Sequence, residues 1–407
     1  MLSRLIAYVI VCLATLACAG ASVAVDTTPW MEKLLSVMRV SAEQSSRFAG
    51  AYRHRVSGAI NWYFMLSAMT LAPQAFSLTD RKSAIEAAIG KGVVGPRASN
   101  ANYDIAGTFV VLSSGNVYFV NIAGTTAATE PAEPTSPQAG TFLRDGSAVL
   151  EFTGLRVPTE WRWFLIDIDS NLLTPIAPDS NDAYAGLLLA AAGRLDPSAG
   201  WLNAPSGHPN LSRLNILTHV ANHNIIDAMN GALTQTFQGN KATAVSSYDV
   251  RFLADNVEAW RGLIALSRLL FKAGEYALSA AAKDTADILS DGVESLWIGA
   301  TYRTYAGQFG AEGFEGAARF VSDLRFHIWP SLHGLNSQRR ASVINHTMAR
   351  VPSVLTDALD TYPLSEWFFA SGNYGTLISR TNKRLDRNIL IQDAALAILA
   401  ESLLQGT

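Results

Sequence analysis

The chain has 407 residues, of which 49% are hydrophobic and 16% are charged, with a net charge of −3 and a mean hydropathy of +0.16. These values exclude a disordered tail protein, which needs low hydrophobicity and high net charge. They also argue against nucleic-acid binding, which needs clustered basic charge. The length allows either one large domain or two ordinary ones.

Residues 1–24 have the features of a secretory signal peptide. Arg4 precedes an apolar run from Leu5 to Ala17, and small residues suited to a signal peptidase follow. The run is too short for a comfortable membrane span, and no later stretch repeats it. We therefore expect a protein exported to a bacterial periplasm or secreted, with no membrane span after signal cleavage.

Both cysteines, Cys12 and Cys18, lie inside this signal. Cleavage therefore leaves no residue for disulfides, thiolate ligands or a cysteine nucleophile. Acylation of Cys18, which would give a lipoprotein, is the alternative to plain cleavage near Ala21 or Ala24. Plain cleavage is favoured because Thr15 stands where a lipobox has an aliphatic residue.

The mature chain begins with two predicted helices between Trp30 and Ala72, followed by a β-rich segment near residues 103–170. Strands are predicted at 107–112, 117–120, 148–152 and 161–168, and a loop rich in Pro, Ser and Thr occupies 123–140. We interpret this segment as an excursion within a single domain of residues 25–407. Without the rest of the chain, the two opening helices would have no partner for their apolar faces.

After Pro178 the hydrophobic pattern is helical to the end of the chain. Helices are predicted at 180–194, 211–237, 254–272, 275–297, 313–326, 337–349, 364–378 and 388–404. The sequence thus predicts a mainly α protein with a β-rich excursion.

Two of these helices begin with the same pattern. Residues 179–188 (DSNDAYAGLL) and 255–264 (DNVEAWRGLI) both have an acid at the first and fourth positions, an aromatic residue at the sixth and Gly at the eighth. A capping box at each helix start explains the acids. It does not explain the mid-helix glycines, which cost about 1 kcal/mol relative to Ala and indicate close packing of helices.

The segment 178–193 (PDSNDAYAGLLLAAAG) resembles the acidic inner-helix start of bacterial exopolysaccharide hydrolases in the six-hairpin glycosidase superfamily, which includes glycoside hydrolase family 8. The helical pattern extends this resemblance over roughly residues 175–405. It implies an (α/α)6 toroid of helical hairpins whose inner helices present acids and aromatic residues at one rim. The Ser-Glu-Gly segment that carries the general acid of family 8 is absent.

Glycoside hydrolysis commonly uses one protonated and one ionised carboxyl group. We assign these roles to Glu258 and Asp182, which would lie on different inner helices at the same rim. Desolvation beside Trp260 would raise the pKa of Glu258. The alternative is that these acids cap helices and hydrogen-bond a sugar without catalysis.

Substrate binding is assigned to two further acids of the repeat and to three aromatic residues. Tyr and Trp rings can stack on the apolar faces of sugars, although large aromatic residues more often belong to a core. The residues are Asp179, Asp255, Tyr184, Trp201 and Trp260.

No cofactor or metal ion is predicted. His219 and His223 lie one helical turn apart, but the zinc-protease glutamate is missing, and a helix interface with hydrogen-bonded histidines is the favoured interpretation. The chain has no Gly-x-Ser-x-Gly elbow, dinucleotide-binding glycine motif or phosphate loop.

The sequence therefore predicts an exported glycoside hydrolase whose partner is a bacterial polysaccharide or oligosaccharide. One alternative is a non-catalytic periplasmic protein that binds or assembles polysaccharide on the same scaffold. A second alternative is a polysaccharide lyase, which would need a base and a cation, for example Tyr302 and Arg303.

Overall fold

The structure is a computed structural model. It describes residues 28–41, 44, 48–103, 107–157, 163–169, 174–176, 180–235, 251–306, 320, 324–352, 364–383 and 389–405. The predicted signal at 1–24, including Cys18, lies outside the described residues, as do Asp179 and most of the helix predicted at 313–326.

The described part of the chain is rich in helix. The helices are α1 (Thr28–Met38), α2 (Trp62–Leu71), α3 (Leu78–Ala87), α4 (Asn181–Arg194), α5 (Ala199–Asn203), α6 (Arg213–Ala221), α7 (Leu253–Ala273), α8 (Tyr276–Ser295), α9 (Trp329–Leu332), α10 (Arg340–Arg350), α11 (Leu364–Ser371), α12 (Tyr374–Lys383) and α13 (Ile391–Gln405). Short 3-10 or π-helical turns occur at 73–75, 88–92, 222–226, 324–326 and 337–339. Among the described helices, none is long and apolar enough to cross a membrane.

Most strands lie between α3 and α4. They are β1 (Val93–Pro96), β2 (Asn102–Tyr103), β3 (Phe109–Val111), β4 (Asn116–Ile122), β5 (Gly124–Thr125), β6 (Phe142–Asp145), β7 (Ala148–Arg156), β8 (Phe164–Leu165), β9 (Ile168–Asp169) and β10 (Thr174–Pro175), followed later by β11 (Met229–Asn230), β12 (Leu233–Thr234), β13 (Arg251–Phe252) and β14 (Tyr305–Ala306). Six of them form one sheet in the order β6-β7-β4-β3-β1-β8. Its pairs are antiparallel except β1 with β3.

The sheet contributes one face to the main hydrophobic core. Val117 and Phe119 of β4 belong to the cluster that also contains the buried residues of α1, α2, α4, α7 and α13. The alternate residues Tyr118 and Val120 face a smaller cluster on the other side of the sheet. This period of two is expected for a strand that is buried on both faces.

Helices from both ends of the chain pack together. Helix α13 contacts α1, α2, α11 and α12, α2 contacts α4, and α4 packs along α7. The short α9 contacts both α7 and α11. This arrangement brings the beginnings of α4 and α7 close to α2 and α11.

The predicted six-hairpin toroid is wrong. Helices and strands are mixed, and the sheet is part of the main core, whereas the prediction treated the β segment as an excursion from a ring of hairpins. Helices α5 and α9 have only 5 and 4 residues and cannot serve as arms of helical hairpins. A helical period reveals which residues face a core, but it does not specify which elements cover that face.

Candidate active site

Helices α4 and α7 cross at the two glycines of the repeat. A Cβ atom added to Gly262 would lie 2.5 Å from Cα of Gly186, and one added to Gly186 would lie 2.3 Å from the backbone oxygen of Glu258. Such approaches leave no room for a side chain at these positions unless the two helices move apart. The predicted close packing is confirmed. The backbone of Glu258 lies against Gly186, which is one helical turn after Asp182 on α4.

The capping-box interpretation of the second repeat is wrong. Helix α7 begins at Leu253 with Phe252 as its N-cap residue, so Asp255 and Glu258 both lie inside the helix. The two acids are three residues apart and therefore share a face of α7. Neither acid is therefore the N-cap residue of α7.

Glu258 is a buried carboxylic acid with one neutral donor. Its side chain is 1% exposed, and the Tyr63 hydroxyl donates a hydrogen bond of 3.1 Å to Oε1. Oε2 has no hydrogen-bond partner among the described residues. Burial raises the pKa of Glu258 well above its usual value, and the charges of Asp255, Glu366 and Asp182 raise it further, while the hydrogen bond from Tyr63 lowers it. Glu258 therefore holds its proton at pH values where an exposed glutamate has lost it.

The expected direction of this pKa shift is confirmed, and burial is its largest cause. Residues two apart on an α-helix point about 200° away from each other, so Trp260 leaves α7 on the side opposite Glu258. Trp260 is half-buried and packs against the main core. Burial among α2, α4 and α11, rather than the adjacent indole, accounts for the environment of Glu258.

Asp182 is fully buried at the beginning of α4. The Thr234 hydroxyl donates a hydrogen bond of 2.5 Å to its Oδ2 atom. The Thr234 backbone N–H in turn donates to Oδ1 of Asn256 on α7 at 2.7 Å. Strand β12 thus links the carboxyl group of α4 to α7 and fixes its position.

Glu366 of α11 adds another buried carboxyl group, which the repeat pattern did not predict. Its side chain is 1% exposed, and the Gln392 amide donates a hydrogen bond to Oε1. Burial, and then the charge of Asp393, raise the pKa of Glu366 well above its usual value, while Arg325 opposes the shift. An acid that directly precedes the apolar run Trp367–Phe369 was the available sequence signal.

Tyr63 and Tyr184 lie together next to these acids. Their ring centroids are 5.3 Å apart, and the Tyr184 hydroxyl donates a hydrogen bond of 2.8 Å to Oδ2 of Asp167. Asp167 also accepts hydrogen bonds from the side chain of Asn61 and from the backbone of Trp62. The repeat pattern predicted Tyr184 as a site residue but not Tyr63, which lies in an apolar helix without a repeat partner.

The structure places Trp201 away from the acids. It belongs to α5, beyond the end of α4, and that helix extends about 18 Å from Asp182 to Arg194. The Trp201 indole donates a hydrogen bond of 2.8 Å to Glu86, and the Arg213 guanidinium lies over its ring. These contacts give Trp201 a packing role at the other end of α4.

The histidine pair and the candidate lyase base, Tyr302, contact residues other than the acids of this site. His219 stacks on Trp163 with ring centroids 4.7 Å apart, and His223 pairs with Asp227 at 3.0 Å. Tyr302 is 1% exposed and packs edge-on against Trp297. Burial raises the pKa of the Tyr302 phenol, which disfavours the phenolate that a lyase base requires.

No protein-family model matches the chain, and no curated protein matches it. The resemblance to six-hairpin glycosidases is therefore wrong, because no family model supports it and the architecture mixes helices with strands. What remains is the site itself, in which Asp182, Asp255, Glu258 and Glu366 come from three helices.

Proposed function

We propose that the protein is a glycoside hydrolase that acts on a polysaccharide, with Glu258 as the proton donor and Asp182 as the second carboxyl group. The observation that carries the proposal is the raised pKa of a buried Glu258 beside carboxyl groups from other helices. A general acid must hold a proton near the working pH, and burial beside like charges is the usual means of achieving this.

The roles follow from the two environments. Glu258 would donate its proton to the leaving glycosidic oxygen, and Tyr63 would hold the carboxyl in place through its hydrogen bond to Oε1. Asp182, held by Thr234, would activate water or attack the anomeric carbon. Asp255 and Tyr184, next to these groups, would contact the sugar, and the predicted signal would direct the enzyme to the periplasm or beyond.

The test is the release of reducing ends from a panel of bacterial polysaccharides by the wild type and by Glu258→Gln and Asp182→Asn. Loss of a general acid or base typically costs about 10²–10⁴-fold in rate, so either variant should abolish measurable release. Asp291→Asn, on the exposed side of α8, is the matched control and should retain full activity. Thermal unfolding of each variant checks that it is folded.

A second candidate is a non-catalytic polysaccharide-binding or assembly protein. The near-complete burial of Asp182 and Glu258 favours it, because buried acids also occur in purely structural networks. Retained binding of a polymer without release by the wild type would support this candidate and reject the hydrolase. A product that absorbs in the ultraviolet, from an unsaturated sugar, would identify a lyase instead.

A further inference from the structure

A cavity of about 260 Å³ lies between α4 and α7, at the opposite end of α4 from Asp182. Its floor is apolar and includes Ile264 and Leu269. Its charged lining residues are Arg194, Asp196, Arg261, Arg268 and Lys272. The cavity is thus separate from the candidate active site and has four cationic side chains around it.

These cations are only partly compensated. Asp196 is the one carboxylate among the described lining residues, and it pairs with Lys272 at 2.6 Å. Neither the Arg261 guanidinium nor the Arg268 guanidinium has a hydrogen bond or ion pair with any described residue. An exposed arginine such as Arg268 is commonly solvated, but Arg261 is half-buried in the side of α7.

The pKa shifts around the cavity have the signs that excess positive charge produces. Burial lowers the pKa of Arg261, and the charges of Arg194 and Arg268 lower it further. Burial, followed by the charges of Arg261 and Arg194, lowers the pKa of His333 to about 3. No carboxylate is among the causes of either shift, and among the described lining residues the single carboxylate, Asp196, pairs with Lys272 rather than with an arginine.

Interaction with helix dipoles explains only part of this cluster. Arg194 and Lys272 lie in the last turns of α4 and α7, where cations are stabilised by the negative end of the helix. Arg261 lies three turns before the end of α7, and the dipole effect is confined to the terminal turn. The dipole of α7 therefore does not account for Arg261.

We propose that this cavity binds a phosphate group, with Arg261 and Arg268 as its main ligands. A phosphate dianion neutralises two of the excess cations, whereas a carboxylate neutralises one, and the guanidinium fork matches phosphate oxygens in pairs. The cavity volume is many times the roughly 10–15 Å³ that one water molecule needs, which leaves room for free phosphate or for the phosphate group of a monoester. This site is independent of the hydrolase proposal.

The test is calorimetric titration of the full chain with inorganic phosphate and with glucose 6-phosphate, at constant ionic strength set with sodium chloride. Arg261→Gln and Arg268→Gln should each weaken binding about tenfold or more, because hydrogen bonds to charged groups are among the strongest in proteins. Arg144→Gln removes an exposed cation from β6 and should leave the affinity within about twofold of the wild type. Glucose is the neutral control ligand, and glucuronate is the carboxylate control ligand.

Tighter binding of the ester than of inorganic phosphate would support the site with a monoester as its ligand, and the reverse order would support it with free phosphate. Equal affinities in the wild type and in both cavity variants would overturn the proposal. So would the absence of phosphate binding to the wild type, or binding of glucuronate in place of phosphate. The variants should fold, because each substitution removes one of several mutually repelling charges, and unfolding curves in phosphate-free buffer check this.

Discussion

Glu258 combines complete burial with a single hydrogen bond from a neutral hydroxyl group, and its neighbours are other carboxyl groups. No arginine or lysine is among the groups that set its pKa. Ionisation of Glu258 therefore costs free energy in the folded protein, whereas in the unfolded chain water solvates the carboxylate. Protonation and folding are coupled through this difference.

We predict that Glu258→Gln becomes more stable relative to the wild type as the pH rises. Below about pH 4, Glu258 is protonated in both states and contributes no difference. Above that pH the unfolded chain releases the proton while the folded protein retains it, so the wild type loses stability until the pH passes the raised pKa of the folded state. Glutamine keeps the acceptor for Tyr63 and has no charge to bury.

The measurement is the free energy of unfolding of both proteins between pH 4 and pH 8. Their difference should change by up to about 1.4 kcal/mol per pH unit within the window between the two pKa values. Glu32→Gln, at an exposed position of α1, should give a curve parallel to the wild type. A parallel curve for Glu258→Gln as well would show that its carboxyl group titrates normally in the folded protein.

At the residue scale, the sequence predicted that Asp182 and Glu258 come together, but it predicted neither Glu366 nor the other surroundings of the pair. The repeat identified Asp182 and Glu258, because equal spacing from a glycine fixes equal positions on two crossing helices. Tyr63, Thr234 and Glu366 reach these acids from α2, β12 and α11. No local pattern encodes such contacts, which span up to 195 positions between Tyr63 and Glu258.

At the scale of elements, the crossing of α4 and α7 depends on two glycines that face each other. We predict that Gly186→Ala and Gly262→Ala each lower the free energy of unfolding by about 3 kcal/mol, because the added methyl group would overlap the backbone of the other helix. Chemical denaturation measures this loss. Because the overlap lies next to Glu258, the proposed activity should fall as well.

Gly375 of α12 is the matched control, since a Cβ atom there would have no neighbour within 4 Å. Gly375→Ala should leave stability within about 1 kcal/mol of the wild type or raise it slightly, because alanine is the better helix former. If Gly186→Ala behaved like this control, the two helices would be farther apart than the structure places them.

Helices with clear apolar periods were predicted well, as α4, α7 and α8 show. The long helix predicted at 211–237 was wrong, because α6 ends at Ala221 and a π-helical turn follows at 222–226. Asn224 in that turn donates from its side chain to the backbone oxygen of Val220 at 2.8 Å. Asparagine side chains compete with the backbone hydrogen bonds of a helix in this way. The apolar pattern of a sequence does not show this competition, so it does not predict where the α-helix ends.

The strand–turn–strand prediction at 107–120 is confirmed by β3 and β4, with Gly115 in the left-handed region at φ 85°. The sheet order could not be predicted. Strand β1 lies between β3 and β8, and β8 follows β1 only after about 70 residues of chain. Such pairings depend on which apolar faces meet in the folded protein, and each strand alone would fit several partners.

At the scale of the whole molecule, one core joins the sheet to the helices. Leu155 of β7 and Leu266 of α7 are both buried in the cluster that also contains Met31 of α1 and Ala400 of α13. Loss of the sheet would expose one side of this cluster, and loss of the helices would expose the inner face of the sheet. We therefore predict that the described parts of the chain unfold together in one transition.

The prediction is tested by heating the wild type and the variants Leu155→Ala and Leu266→Ala while recording helical circular dichroism and tryptophan fluorescence. Both substitutions should lower the midpoint of the same transition, at a cost of about 2–5 kcal/mol each, because each leaves a cavity in the shared core. Leu278→Ala, at a position 48% exposed on α8, should shift the midpoint little. A separate, earlier transition in Leu155→Ala alone would mean that the sheet unfolds independently, and the single domain predicted for residues 25–407 would then divide into two.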